Sequence, residues 1–142
     1  MSKSPQKSIV LFDLDDFYHE TLDLVLYNMG YDPAVKVTKK KDVKTMIQDI
    51  ESNKRKFDVA IIDTYMGISN EDGKKIAEKL REISSNTVIV GYSIMETNDW
   101  ADYEIIKSQR DANKTTVKVL EEVLGTKFNA SDEVDPEYAI PE

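Results

Sequence analysis

The sequence has no cysteine and only one histidine among its 142 residues. Without cysteine there can be no disulfide framework, no thiolate nucleophile and no zinc site built on sulfur. The single histidine, His19, argues against a histidine-rich metal site and against a Ser-His-Asp triad, and we expect it at the surface of a helix. Any bound metal ion would therefore have to be held by oxygen atoms.

Long apolar runs and an excess of positive charge are missing as well. No run approaches the roughly 18 residues of a membrane span, and the N-terminal MSKSPQKSIVLF lacks the apolar stretch and cleavage site of a signal peptide. The 27 acidic residues outnumber the 19 basic ones and give a net charge of −8, which argues against binding to nucleic acid or to an anionic membrane. We therefore expect a cytoplasmic protein with neither of these partners.

The length corresponds to about one domain. We expect a flexible polar lead over residues 1–7, a folded domain over 8–127, and a disordered acidic tail over 128–142. The tail has two prolines, few apolar residues and no Lys or Arg, which favours disorder. It carries five acidic residues: Asp132, Glu133, Asp135, Glu137 and Glu142.

Five short apolar runs in the folded part alternate with amphipathic stretches, a pattern typical of a parallel sheet with helices on its faces. The runs predict strands over residues 9–12, 34–37, 57–62, 88–92 and 103–106. Apolar spacings of three and four predict a helix over 17–29, a second around 43–50, a third with Asp72 as its N-cap, and a last one ending at Gly125. The pattern is that of an α/β protein with a (βα)5 doubly wound parallel sheet of five strands.

The fourth crossover is too short for this pattern. Nine residues, 94–102, separate Ser93 from the fifth strand, whereas a parallel crossover normally needs a dozen or more. The fourth helix is therefore expected to be short or missing. Trp100 and Tyr103 would either fill the gap that it leaves or form an exposed recognition patch.

Polar residues follow the predicted strands at the points where they end. In an open parallel sheet these points share one edge, which is where ligands bind. Converging carboxylates repel one another unless a positive group lies among them, and Mg²⁺ suits oxygen ligands. A lysine and a hydroxyl beside such a cation could hold a phosphoryl group on a carboxylate. The residues at this edge are Asp13, Asp15 and Asp16 after strand one, Asp63 after strand three, Ser93 after strand four and Lys107 after strand five.

Residues 8 to 125 resemble a response-regulator receiver domain, the phosphoacceptor module of two-component signalling. Four segments carry the resemblance: SIVLFDLDD, KFDVAIIDTYM, NTVIVGYS and YEIIK. The resemblance implies the flavodoxin-like strand order 2-1-3-4-5 and phosphorylation of one aspartate by a histidine kinase or phosphotransfer protein. It also implies output through association with another, unidentified protein, and no catalysis on an external substrate.

The resemblance also assigns roles to residues of this sequence. Asp63 corresponds to the phosphoacceptor, Lys107 to the family's lysine and Ser93 to its switch hydroxyl. Mg²⁺ would be held by the acidic cluster, namely Asp13 and Asp15, together with Asp63 and the backbone carbonyl of Tyr65.

The sequence departs from the receiver pattern at several positions. The family has two adjacent acids after strand one, and the best register places Asp13 on the first and Leu14 on the second. Asp15 could compensate by a local shift, or Asp15 or Asp16 could cap the first helix, with Asp16 favoured for that role. Gly67 and Ser108 each replace a customary proline. A cis bond without proline costs roughly 3 kcal/mol more than trans, so the loop shape typical of the family is not expected after Lys107.

Two alternatives use the same residues. A degenerate receiver would keep the fold and act as a protein-binding module that is never phosphorylated. The segment VLFDLDDFYHET also resembles the first motif of haloacid dehalogenase-type phosphatases. In that case Asp13 would be the nucleophile, Asp15 the acid/base, Ser93 the phosphate-binding hydroxyl and Lys107 the stabilising lysine, while Asp63 would have no evident role.

Overall fold

The computed structural model describes residues 6–94 and 99–128. The strands are β1 Ile9–Phe12, β2 Val35–Val37, β3 Val59–Ile62, β4 Val88–Ser93 and β5 Tyr103–Ile106. The helices are α1 Asp16–Tyr27, α2 Lys40–Glu51, α3 Asp72–Ile83 and α4 Ala112–Leu124. Among the helices described here, none is long and apolar enough to cross a membrane. Of the tail predicted to be disordered, 128–142, only Phe128 belongs to the described residues, and it packs against the core; residues 129–142 lie outside them.

The five strands form one parallel sheet in the order β2-β1-β3-β4-β5, which confirms the predicted topology. The register pairs Phe12 with Ile62 and Ser93 with Ile106, so β1 ends level with β3 and β4 ends level with β5. Ile62 pairs with Gly91, so β4 runs two residues beyond β3 and places Ser93 beside the residues that follow β3, at the same edge of the sheet. The site described below is built on that edge.

Alternation along the strands explains the layer of helices on each face. In β1, Ile9 and Leu11 belong to the core shared with α1 and α4, whereas Val10 and Phe12 belong to the core shared with α2 and α3. Successive side chains of a strand point to opposite faces, so an apolar run with no polar member becomes buried on both sides. All four residues of β1 and of β3 are buried, as expected for the inner strands of such a sheet.

The caps of two helices differ from their predicted positions. Asp15, and not Asp16, is the N-cap of α1, because Asp15 has extended backbone dihedrals and its side chain accepts from the N–H of Phe17. The N-cap position of α3 is Glu71, whose side chain makes no capping bond, and the predicted cap Asp72 is the first helical residue. The end of α4 is as predicted, with Gly125 in the left-handed conformation that glycine adopts without penalty.

The described residues of the fourth crossover, 94 and 99–102, contain no helix. The partly buried side chain of Trp100 packs instead against the core of α2 and α3. Asp102 extends the sheet edge, since its N–H donates to the Ile89 carbonyl and its carboxylate accepts from the Ile89 N–H. Of the two expectations for Trp100, the structure supports packing into the fold and not an exposed recognition patch.

Candidate functional site

The carboxyl edge of the sheet brings the predicted residues together through backbone hydrogen bonds that continue beyond the strands. The N–H of Asp63 donates to the Phe12 carbonyl at 2.9 Å, which seats Asp63 beside the end of β1. The N–H of Lys107 donates to the Ser93 carbonyl at 2.7 Å, which seats Lys107 beside the end of β4. These bonds leave little freedom in where the side chains begin.

A buried lysine joins two carboxylates at this edge. The Nζ of Lys107 lies 2.5 Å from Oδ2 of Asp13 and 3.4 Å from Oδ2 of Asp63. The side chains of Lys107 and Asp13 are 2% and 0% exposed, whereas that of Asp63 is 17% exposed. Asp63 is therefore the carboxylate of this cluster that a reagent from solvent can reach.

Two tyrosines enclose the lysine on its other side. The Nζ of Lys107 is 4.0 Å from the ring centroid of Tyr18 and 4.8 Å from that of Tyr92, and the two rings meet edge to face at 5.6 Å. Aromatic faces attract a cation, so the rings stabilise the buried ammonium group. Burial raises the pKa of Tyr92, and the nearby Asp13 adds to this, so Tyr92 remains a neutral phenol. This role of the two tyrosines was not predicted from the sequence, although Tyr18 lies on the apolar face of the first helix and Tyr92 in the fourth strand.

Both oxygens of Asp13 are engaged. Oδ2 contacts Lys107, and Oδ1 accepts from the Asp15 N–H at 2.9 Å. Burial raises the pKa of Asp13 above its ordinary value of 3.8, and this effect exceeds the lowering by Lys107 and by the hydrogen bonds. Lys107 therefore favours the ionised form of Asp13, which burial disfavours.

Ser93 is fully buried and its hydroxyl is part of the backbone arrangement around Asp63. Its Oγ accepts from the Thr64 N–H at 2.8 Å. The hydroxyl therefore lies next to the residue that follows Asp63.

The loop after Asp63 is organised by Asp72. Its Oδ2 accepts from the N–H groups of Met66, Ile68 and Ser69 at 2.8 to 3.0 Å. Burial acts to raise the pKa of Asp72, but the hydrogen bonds outweigh it and hold the pKa below its ordinary value. The loop that contains Tyr65, whose side chain is 46% exposed, is thereby tied to the start of α3.

Glycines permit the close packing of this loop. A Cβ at Gly73 would lie 2.4 Å from the Asp63 carbonyl oxygen, so no other residue fits there without moving the backbone. Gly67 has a φ of +102°, which proline cannot adopt because its ring locks φ near −65°. A proline at position 67, which the receiver pattern prefers, would therefore not fit this loop.

The other acids after β1 do not join the cluster around Lys107. The carboxylate of Asp15 caps α1 through the Phe17 N–H at 2.9 Å. Leu14, at the position of the family's second acid, packs its partly buried side chain against the core of α2 and α3. Asp16 is exposed in the first turn of α1.

His19 is buried, which corrects the expectation that it lies at the surface. Its side chain is 6% exposed, and its Nε2 lies 2.5 Å from the Asp13 carbonyl oxygen. A carbonyl oxygen only accepts, so Nε2 carries a proton. The position in the first turn of α1 faces the end of β1, and this could not be read from the spacing of apolar residues.

The carboxylates at this edge provide only part of what Mg²⁺ requires. In the part of the chain that the structure describes, no group of three or more acidic or histidine side chains could hold a metal ion. Mg²⁺ is commonly bound through one or two carboxylates while it keeps several waters. Asp13 and Asp63 supply two carboxylates at this edge, but both oxygens of Asp13 are engaged, so a cation could bind Asp13 only by displacing Lys107 or the Asp15 N–H.

Comparisons with known proteins agree with the geometry at the level of the fold. No family model and no curated protein sequence matches the chain. A signal receiver domain from Clostridium thermocellum is 15% identical, with coverage of 83% of this chain and 97% of that one and a TM-score of 0.66. The chemotaxis response regulator CheY4 of Vibrio cholerae is 17% identical, with coverage of 84% and 100% and a TM-score of 0.65.

A third similar structure is the response regulator TrrA from Thermotoga maritima in complex with Mg²⁺ and BeF. It is 22% identical, with coverage of 83% of this chain and 99% of that one and a TM-score of 0.62. The chain therefore has the fold of response-regulator receiver domains, which confirms the resemblance predicted from its sequence. The three alignments cover 97% to 100% of the similar chains' own length.

Proposed function

We propose that the protein is a single-domain response regulator that acts in the cytoplasm and is phosphorylated on Asp63. The exposure of Asp63 beside the buried Lys107 is the observation that carries this proposal. The burial of Asp13 speaks against the phosphatase alternative, because Asp13 would be the nucleophile there and it is fully buried and ion-paired.

In the proposed reaction, a carboxylate oxygen of Asp63 attacks the phosphorus atom of the donor. A new P–O bond forms, the bond between phosphorus and the donor breaks, and the donor leaves with its electron pair. Lys107 already touches Oδ2 of Asp63 at 3.4 Å, so its ammonium group would stabilise the negative charge of the phosphoryl oxygens. Ser93 would donate its hydroxyl hydrogen to the same oxygens, since its Oγ uses only a lone pair in accepting from the Thr64 N–H.

Mg²⁺ would be held by Asp13, Asp63 and the Tyr65 carbonyl, and it would supply positive charge against the phosphoryl group. Asp15 was also predicted as a ligand, and its Oδ1 accepts from the Phe17 N–H as the cap of α1. The solved structure of TrrA with Mg²⁺ and BeF supports the proposal by analogy of fold.

The partners would be a histidine kinase or phosphotransfer protein as the donor and an unidentified protein as the output. The protein would catalyse its own phosphorylation and dephosphorylation and nothing on an external substrate. Signalling would then proceed through protein association.

A second candidate is a receiver that binds its partner without being phosphorylated. Leu14 stands in place of the second acid, and Lys107 is closer to Asp13 than to Asp63. Both features weaken the site for a metal ion, and they are the specific observations that favour this candidate.

Incubation with acetyl phosphate and Mg²⁺, followed by intact-mass spectrometry, separates the candidates. We expect one phosphoryl adduct on the wild type and none on Asp63→Asn. Asp16→Asn is the matched control, because Asp16 is an exposed acid of the same edge, and it should react as the wild type does. Absence of any adduct on the wild type would support the unphosphorylated module, and an adduct retained in Asp63→Asn would support the phosphatase.

A further inference from the structure

The face of the molecule opposite α1 and α4 has an apolar groove between α2 and α3. We call it the α2–α3 groove. Its volume is about 460 Å³, and it extends from the loop after β3 to Glu51 at the end of α2 and Lys79 in α3. Ile68, in the loop after β3, is 66% exposed. The apolar residues that line it are Val43, Ile47, Met66, Ile68 and Ile76.

Lysines surround the α2–α3 groove: Lys40, Lys44, Lys75 and Lys79. In the described part of the chain only Lys79 of this group forms an ion pair, at 3.7 Å from exposed Glu51. The other acid of the lining is Asp72, whose carboxylate already accepts three backbone N–H groups. The groove is thus a positively charged surface on a chain whose net charge is −8.

The C-terminal segment 129–142 has the complementary composition. It carries five acidic residues and no Lys or Arg, and it includes the apolar residues Val134, Tyr138 and Ile140. An acidic segment with spaced apolar residues is what a lysine-bordered apolar groove would bind.

The segment is also long enough to reach the groove from where the described chain ends. Phe128 packs against the core of α1 and α4, so the segment must pass around the sheet to the other face. Fourteen residues span up to roughly 45–50 Å when extended. A small domain is about 30 Å across, so the length suffices.

We propose that residues 129–142 bind in the α2–α3 groove of their own chain. The acidic side chains pair with the lysines, and the apolar ones cover the floor. This assignment rests on charge and length and does not require that Asp63 be phosphorylated. Because Met66 and Asp72 line the groove and also hold the loop after Asp63, an occupied groove contacts the loop of the phosphoacceptor site.

The absence of cysteine makes the test direct, since Ala139→Cys in the full chain offers a single position for a spin label. In ¹H–¹⁵N spectra we expect the label to broaden the amide signals of Val43, Ile47 and Ile76 and to leave those of α4 unchanged. At about 1 M salt, where the Debye length is about 3 Å, the broadening should weaken.

Charge reversal provides the controls. Lys44→Glu with Lys75→Glu should abolish the broadening, whereas Lys118→Glu, an exposed lysine of α4 on the other face, should not. Uniform or absent broadening in the labelled chain, or broadening confined to another surface, would overturn the proposal. A mixture of spin-labelled chain without ¹⁵N and unlabelled ¹⁵N chain tests the second-copy alternative. If the mixture shows the same broadening, the segment binds a second copy, and the intramolecular assignment is wrong.

Discussion

The buried pair of Lys107 and Asp13 leads to an asymmetric effect of mutation. Lys107→Met removes the cation and leaves Asp13, which is 0% exposed, with one hydrogen bond from the Asp15 N–H. Asp13→Asn removes the anion but leaves Lys107 with Asp63 at 3.4 Å and with the ring of Tyr18 at 4.0 Å. The lysine thus keeps partners that the aspartate does not have.

The two costs can be set from these contacts. Loss of one partner from a buried ion pair costs about 3–5 kcal/mol in the free energy of unfolding, because a charge is left uncompensated. We expect that full cost for Lys107→Met. A cation–π contact contributes about 0.5–2 kcal/mol, so the remaining partners of Lys107 should limit the cost of Asp13→Asn to about 1–3 kcal/mol.

The pH dependence follows from the raised pKa of Asp13. An acid whose pKa is raised on folding binds its proton more tightly in the folded state, so stability increases as pH falls toward its unfolded pKa. Removal of Lys107 raises the pKa further. The stability difference between wild type and Lys107→Met should therefore narrow at mildly acidic pH.

Urea unfolding followed by circular dichroism, at neutral and at mildly acidic pH, measures the stability of the wild type, Lys107→Met and Asp13→Asn. Lys118→Met is the control, since Lys118 is exposed on α4 and should change stability little. A cost for Lys107→Met below about 1 kcal/mol, or one smaller than that of Asp13→Asn, would refute the reasoning about the buried pair.

Three further predictions concern the surroundings of this pair. Asp63→Asn should cost less than about 1 kcal/mol in urea unfolding, because the longer contact of Asp63 with Lys107 is partly exposed; a cost equal to that of Lys107→Met would contradict this. Asp72→Asn should cost about 1–3 kcal/mol at neutral pH, and the difference from wild type should shrink as pH falls below the ordinary pKa of 3.8, because the lowered pKa of Asp72 stabilises the fold only while the group is ionised. Gly73→Ala should destabilise the fold by about 1–3 kcal/mol and so lower the melting temperature, since its Cβ would lie 2.4 Å from the Asp63 carbonyl oxygen. An unchanged melting temperature would show that the loop adapts.

The strands could be predicted because each one is a short apolar run, whereas the strand order followed from the resemblance to receiver domains. The buried runs of β1 and β3 have no polar member, and the spacing of Leu22, Val25 and Leu26 marks the inner face of α1. Since parallel strands end at one edge, the convergence of Asp13, Asp63 and Lys107 followed from the same reasoning, and the structure brings these three into contact.

The finer features of the site depend on contacts that no spacing rule contains. Whether Asp15 or Asp16 caps α1 depends on which residue has extended dihedrals, a matter of about one residue in the path of the loop. His19 is buried because the end of β1 lies beside the first turn of α1. The enclosure of Lys107 by Tyr18 and Tyr92 requires residues from α1 and β4, which are distant in sequence.

The central claim is that Asp63 accepts a phosphoryl group. An acyl phosphate is reduced by borohydride to an alcohol, so an aspartate that carried the phosphoryl group becomes homoserine and can be located by peptide mass spectrometry. After treatment with acetyl phosphate and Mg²⁺ and then borohydride, we expect homoserine at position 63 and aspartate retained at positions 13, 15 and 16. Homoserine at position 13, or at none of these positions, would contradict the claim that Asp63 is the phosphoacceptor.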